Sequence, residues 1–516
     1  MHTEILESKD EKDTSFQSAP SGQTFRDPGS GEHKGIKETV LLNTEETMPQ
    51  TKKRIYFSCP PQGIVNKIMT NGVIFFMSWC TLWVFLGPEV LPDGKLFGLV
   101  IIFYSAILGG TLLQLIRIPA VPPLPPLLGM LLAGFIIRNI PSISEHIKVP
   151  MKWSSALRST ALTIILIRAG LGLDPEVLRQ MKRVCFRLSF GPCIIEACSA
   201  AVFSHFIMDF PWQWGFLLGF VLGAVSPAVV VPSMLRLQEA GYGVEKGIPT
   251  VLIAASSMDD IVAITGFNTF LNLIFSQGSI LHNVLTTLWD VLVGVLVGTV
   301  FGVFIQYFPS EDQEKVPMKR AFLILSMSVS AVLGSQHIGL HGAGGLFTLV
   351  LCFTAGLKWT KDKIRVQKLI TNAWDIFEPL LFGLVGSEVS VSSLESNAIG
   401  TCVVTLCLAV FVRILSTFAL MCFAGFTFKE KIFIALSWMP KATVQAVLGP
   451  LALETARLKA PHLVAYSKDV MTVAFLAILI TAPNGALFIG ILGPRILSRH
   501  CDPSKMELPL PGHRGH

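Results

Sequence analysis

The stretch TVLIAASSMDDIVAITGFNTF (residues 250–270) decides the fold. It is as long as a bilayer span, which needs about 20 mostly apolar residues. Its only charges are two adjacent aspartates at the centre, Asp259 and Asp260. On insertion scales an aspartate at mid-bilayer costs about 2.5–3.5 kcal/mol. Two side by side cost more unless they are paired, protonated or holding a cation. Neighbouring residues point about 100° apart on a helix, so the two carboxylates cannot face one partner. The expectation is that one faces a cavity and the other is braced by protein. Oxygens that hold either a proton or a metal ion allow the two to compete for one site, and hard oxygen donors suit a hard alkali cation. Structural glue between helices is the plainer reading, but a lone Asn or Ser would do that at lower cost.

The rest of the chain has the same character. Of 516 residues, 51% are hydrophobic and 15% charged, with a mean hydropathy of +0.59. Soluble domains are about 25% charged, so a water-facing surface of this size is excluded. Glycine (43) and proline (31) fall largely inside apolar runs, as they do in membrane helices. The reading is an all-α polytopic membrane protein with about fourteen transmembrane helices. Residues 1–54 are polar and poor in aromatics and read as a disordered cytoplasmic tail. Residues 55–497 read as the transmembrane domain, opening with an N-terminal helix at 71–87, and 498–516 as a short cytoplasmic tail. No cleavable signal peptide precedes the first apolar run.

An even number of spans puts both termini on one side. With that side inside, the inner loops collect Lys52, Lys53, Arg54, Arg117, Arg179, Lys182, Arg183, Lys315, Lys319, Arg320 and the basic segment 358–368, a positive-inside bias. The net charge of +6 is therefore loop charge. No basic stripe with interleaved aromatics points to nucleic acid. The ten cysteines lie mostly within spans, with neither metal-ligand nor disulfide spacing.

Weak internal similarity recurs at an offset of about 215 residues, the mark of a repeat. PPLPPLLGMLLAGFIIRN (122–139) matches HGAGGLFTLVLCFTAGLKW (341–359), LIRAGLGLDPEVL (166–178) matches LFGLVGSEVSVSSL (381–394), and GAVSPAVVVPSML (223–235) matches WMPKATVQAVLGPL (438–451). A first repeat over about 96–275 and a second over about 320–496, with seven spans between equivalent positions, are expected to be inverted. In both, a proline interrupts a span: Pro227 and Pro440. Backbone freed by a mid-helix proline must be buried in protein or line a watery cavity. Paired interruptions point to a central binding site, where carbonyls around Ala224, Val225 and Ser226 become available to a cation. A simple proline kink is the alternative, and Pro232 and Pro450 repeat the pattern.

Further charges lie within spans. Glu196 (in GPCIIEACSAAVF) and Arg413 (in AVFVRILSTF) sit at equivalent repeat positions, and an ion pair between their helices would lower the penalty on each. Lys441 follows Pro440 and would bring positive charge to the crossing. Arg168 and Glu388 take matched places near helix ends, where snorkelling to the interface is expected.

Together, GAVSPAVVVPSM, SSMDDIVAITGFN, VRILSTF and SWMPKATVQA resemble the NHA-type sodium/proton antiporters of animals. These form the 9B branch of the sodium/hydrogen exchangers within the cation/proton antiporter superfamily, and the resemblance is strongest to the sperm-expressed mammalian side of that branch. It covers roughly Cys59 to Arg499. It implies the inverted-repeat fold of the bacterial NhaA and NapA antiporters, with two interrupted crossing helices, one extra N-terminal helix, a homodimer and elevator-like movement. By motif, Asp260 would be the principal ion and proton carrier and Asp259 its partner, so that Na⁺ binds at Asp259 and Asp260. Backbone at Ala224, Val225 and Ser256 would complete the sodium site, with Glu196, Arg413 and Lys441 as supporting charges. The resemblance implies exchange of Na⁺ or Li⁺ for H⁺ in pH regulation, no cofactor beyond the transported ions, and a place in the plasma membrane, the sperm flagellum included.

Three other classes compete. An intramembrane aspartyl protease places one aspartate on each of two helices in Tyr-Asp and Gly-x-Gly-Asp contexts, and neither context occurs here. A cation channel needs a continuous polar pore, but no repeated selectivity loop or ring of charges is visible. A transport-inactive regulatory protein that keeps the antiporter fold would retain the same residues.

Overall fold

The computed structural model describes residues 64–499, apart from 117–121, 148, 174, 276–279, 311, 341, 360–361 and 392–395. The tail expected at 1–54 lies outside the described residues, as do Arg117 and all of the tail at 498–516 beyond its first two residues. The chain divides into Met1–Lys67 and Ile68–His516. Of the first unit only 64–67 are described, as helical residues. All contacts below lie within the second.

The described chain is helical, with one isolated bridge between Tyr242 and Arg499 as its β pairing. In order run α1 (Ile64–Leu86), α2 (Lys95–Leu115), α3 (Pro126–Asn139), a short α4 (Pro141–Ser144), α5 (Met151–Gly172), a short α6 (Pro175–Gln180), α7 (Lys182–Ile207), α8 (Trp212–Gly223) and α9 (Pro227–Glu239). Then come α10 (Ile248–Phe275), α11 (Ile280–Tyr307), α12 (Val316–Ile338), α13 (Ala343–Gly356), α14 (Asp362–Glu388), α15 (Ser396–Met421), α16 (Phe428–Ser437), α17 (Thr443–Lys459) and α18 (Val464–Ile496). Among the described residues nine spans are long and apolar enough to cross a membrane. The chain is a multi-pass membrane protein. Each apolar stretch read from the sequence holds a helix, or a pair of helices separated by a break. The helix expected at 71–87 begins earlier, at Ile64, because no proline or glycine falls between Ile64 and Gly72 to stop it.

Small residues set how closely the helices approach. Lipid supplies no hydrophobic drive between helices, so association depends on close packing. Gly215, Gly219 and Gly223 recur every fourth residue on α8, and their bare faces meet Ala201, Ala197 and Cys193 of α7. Gly294, Gly298 and Gly302 do the same on α11 against Ala343, Phe347 and Leu351 of α13. On α3 and α14, Gly134 lies on the backbone of Gly383, and Gly386 on the carbonyl of Leu131.

Two groups of helices result. In one, α7 to α10 and α15 to α18 surround the two breaks; in the other, α2, α3, α5 and α11 to α14 pack together. They meet along α5, α14, α10 and α17. One chemical change tests the packing rule at two sites. Gly386→Ala drives a methyl into the Leu131 carbonyl and is expected to cost about 1–3 kcal/mol. Gly334→Ala on α12 meets nothing within 4 Å and should gain up to about 1 kcal/mol of helix stability. Thermal unfolding of the detergent-purified variants should show opposite signs.

Candidate functional site

Between α8 and α9 the chain is extended over 224–226, and between α16 and α17 the helix is open from Trp438 to Ala442. Pro227 is the first residue of α9, where a proline is tolerated because its missing N–H has no helical partner. Pro440 lies inside the second break. The two breaks touch: the Ser226 N–H donates to the Pro440 carbonyl at 2.8 Å, and the Thr443 N–H donates to the Ser226 hydroxyl at 3.4 Å. Gly485 on α18 leaves room for the Pro440 ring.

A helix that ends in the membrane interior leaves carbonyls without partners. At the C-terminus of α8 three side chains from the other half of the chain take them up. Lys441 Nζ donates to the Leu222 carbonyl, Arg413 Nη1 to that of Gly223, and Gln445 Nε2 to those of Val221 and Ala224, both at 2.9 Å. Cations at a helix C-terminus also oppose its dipole. The second break is held similarly. Arg413 Nε donates to the Trp438 carbonyl at 2.8 Å, and the Lys441 N–H to the Thr481 hydroxyl at 2.9 Å.

The buried charges converge here. Glu196 of α7 pairs with Arg413 of α15 through Nη1, and with Lys441 Nζ at 2.8 Å. Arg413 turns its other nitrogen, Nη2, to Asp259 Oδ2 at 2.9 Å, and the same oxygen accepts the Val225 N–H at 2.8 Å. One guanidinium therefore joins Glu196, Asp259 and the backbone of both breaks. Lys441 touches Glu196; the contact to the aspartate pair is made by Arg413. Asp259 is the braced carboxylate.

Asp260 is different. It is fully buried, and among the described residues neither of its oxygens meets a hydrogen-bond donor. Its face of α10 carries Ile253 and Ser257 at helical spacing. Both of these line a cavity of about 260 Å³, together with Arg168, Pro227, Trp374 and Thr443. This cavity shares Arg168, Ala228, Thr371 and Trp374 with a wider one of about 700 Å³, which reaches Gln114, Pro123 and Arg236 at the helix ends. A funnel thus runs between the two helix groups toward the Asp260 face and stops short of the carboxylate.

Of the residues expected to supply backbone ligands, Val225 gives its N–H to Asp259, and the Ala224 carbonyl already accepts from Gln445. The Ser256 hydroxyl turns back onto the Ile253 carbonyl at 2.9 Å. Arg168 and Glu388 each have protein partners. Arg168 lines the funnel with its guanidinium 5.6 Å from the Trp374 ring centre, and Glu388 joins a charge cluster with Arg158 and Arg457. Sequence reasoning missed Gln445, Arg158, Glu454 and Asp290. All are buried polar residues; for Arg158, Glu454 and Asp290 a charge inside a helix was a signal the sequence offered, while the uncharged Gln445 offered none. Asp290 of α11 accepts the Gly342 N–H at 3.3 Å, so it caps the N-terminus of α13 from a neighbouring helix.

The comparisons with known proteins agree with this architecture. A family profile described as "Sodium/hydrogen exchanger, transmembrane" matches residues 102–492. The chain is 69% identical to sodium/hydrogen exchanger 9B1 of Homo sapiens over 512 residues, covering 99% of each chain. It is 59% identical to sodium/hydrogen exchanger 9B2 of Homo sapiens over 469 residues, covering 89% of this chain and 87% of the relative. Among solved structures, the sodium proton antiporter MjNhaP1 from Methanocaldococcus jannaschii superposes with a TM-score of 0.63 at 18% identity, covering 78% of this chain and 98% of that one. With two touching helix breaks, a buried aspartate pair and a matched profile across most of its length, the chain belongs to the sodium/hydrogen exchanger family, in its 9B branch.

Proposed function

We propose that this protein is a secondary active transporter that exchanges Na⁺ for H⁺ across a membrane, with Asp260 as the group that holds either ion. The observation that carries the reading is the Asp260 carboxylate, fully buried with no donor on either oxygen among the described residues. A carboxylate in that position is costly when charged and alone. A proton or a bound alkali cation relieves the cost, and the two cannot occupy the same oxygens together. Asp259 is held by Arg413 and Val225, so it fixes the field in which Asp260 binds. Li⁺ is a substrate on the same grounds, since hard oxygen donors do not separate it sharply from Na⁺.

Charge balance gives the coupling. Glu196 and Asp259 pair with Arg413 and Lys441, and the adjacent Asp260 leaves one net negative charge in a fully buried cluster. One monovalent cation neutralises it. The loaded site is then neutral with either ion, while the empty site is a buried charge whose passage through the bilayer is expensive. Only loaded protein changes its facing, and that makes the exchange obligatory. One H⁺ for one Na⁺ moves no net charge.

Two inverted repeats, each with one interrupted helix, provide the frame. The basic loops favour cytoplasmic termini, so the funnel opens to the cytoplasm. We further place the protein in the plasma membrane as a homodimer, the sperm flagellum being one such site.

Purified protein in proteoliposomes with an internal pH reporter tests the exchange. A Na⁺ or Li⁺ pulse should move protons, a choline pulse should not, and Asp260→Asn should abolish the signal; a variant that still responds refutes the assignment. Arg413→Lys keeps the charge but cannot span Glu196, Asp259 and the Trp438 carbonyl together. It should lower transport by about tenfold or more, while Lys441→Arg should be milder. Clamping the membrane potential with K⁺ and valinomycin should leave the initial exchange rate unchanged. A steep dependence on voltage would show that more than one charge moves per ion and overturn the one-for-one balance.

A further inference from the structure

The helices that diverge around the funnel converge again at their other ends, and they do so on charge. Arg158 of α5 is 2% exposed and is in direct contact with Glu454 of α17, itself 8% exposed at the side chain. Arg158 also donates to Ser154 one turn back and lies 3.7 Å from Glu388 at the end of α14. Arg457, one turn beyond Glu454, lies 3.7 Å from the other oxygen of Glu388. Glu388 is 23% and Arg457 36% exposed, so the cluster grades from a dry inner pair to a wet rim. It carries two positive and two negative charges and is neutral overall.

Its placement relative to the funnel is set by helix register. On α5 the funnel touches Arg168 and the cluster Arg158; on α17 it touches Thr443 and the cluster Glu454; on α14 it touches Trp374 and the cluster Glu388. At 1.5 Å rise per residue, each pair is separated by about 15–21 Å along its helix. The funnel and the cluster are therefore the two ends of one seam between the helix groups. One end is open, and the other is closed by ion pairs that cross the seam.

We propose that the Arg158–Glu454–Glu388–Arg457 cluster is the gate of the closed side, which parts when the protein turns its ion site to that side. This deepens the exchange reading and rests on it for the need to open both ends. A buried ion pair is a poor means of holding helices permanently together, because apolar residues of similar volume often do as well or better. It is a good reversible closure. When the seam parts, water enters and hydrates each charge, so the open state is not penalised as an exposed apolar seam would be. The partners also divide correctly: Arg158 and Glu388 belong to one helix group, Glu454 and Arg457 to the other.

Cysteine accessibility tests the gate without relying on transport. In a cysteine-free background, Leu162→Cys places a thiol one turn behind Arg158 on the same face of α5. A membrane-impermeant thiol reagent is applied from the side opposite the funnel. Leu162→Cys should be protected in the otherwise intact protein and should label about tenfold faster or more with Glu454→Gln, as a shift in open population requires. The charge swap Arg158→Glu with Glu454→Arg should restore protection. Thr371→Cys in the funnel, labelled from its own side in every variant, shows that each is folded. If Glu454→Gln leaves Leu162→Cys protected while Thr371→Cys still labels, the gate is wrong even where Na⁺ drives proton movement. If labelling rises and the swap reverses it, the gate stands even where no exchange is measured, and only the exchange reading fails.

Discussion

The structure depends on one constraint: a polypeptide that stops being helical inside a membrane must find partners for every backbone group it frees. Water is not there to supply them, and each unmet group costs several kcal/mol. The break at 224–226 meets this demand with Arg413, Lys441 and Gln445, all drawn from the far half of the chain. Those side chains bring two positive charges into the centre of the bundle. The charges in turn require carboxylates, and Glu196 and Asp259 answer them. The buried charge cluster grows out of the need to satisfy the backbone. Asp260 is the carboxylate at the crossing that none of these donors reaches on either oxygen, among the described residues.

This ordering explains why the two aspartates differ although they are adjacent and equally buried. Asp259 lies on the face of α10 that meets the first break and Arg413. Asp260 lies about 100° round the helix, on the face that carries Ser257 and Ile253 toward the funnel. In the proposed exchange, a fixed carboxylate beside a free one gives a preorganised field around a group whose occupancy can change. The glycine seam between α8 and α7 supports this, because it holds Glu196 and the α8 terminus close enough for one guanidinium to reach both.

Much of this was legible before any coordinates. Apolar runs placed the helices, since lipid tolerates little else. Pro227 and Pro440 marked the interrupted regions, and Asp259, Asp260, Glu196, Arg413 and Lys441 stood out as charges where charge is expensive. What could not be read was partnership. The spacing of Asp259 and Asp260 says that they face different ways, but not which one meets Arg413. Lys441 follows Pro440 in sequence and brings its charge to the crossing, at the Leu222 carbonyl, but that Glu196 is its carboxylate partner depends on where α7 packs. Glu388 looked like a residue bound for the interface because it ends a helix. Only the position of α5 and α17 shows that it meets Arg158 and Arg457 instead. Gln445 carries no charge, so nothing in the sequence ranked it above other polar residues, although it holds two carbonyls of the first break.

The partners of that break are also far apart in time. The ribosome delivers Ala224 to the membrane 221 residues before Gln445, an interval of roughly 10–45 s at ordinary rates of synthesis. Through that interval the ends of α8 and α9 exist without the side chains that will satisfy them. The nascent chain must shelter them meanwhile, by holding α8 and α9 near the interface, by borrowing temporary donors, or by waiting within the insertion machinery. Assembly of the centre is thus a late event, triggered when the second half arrives.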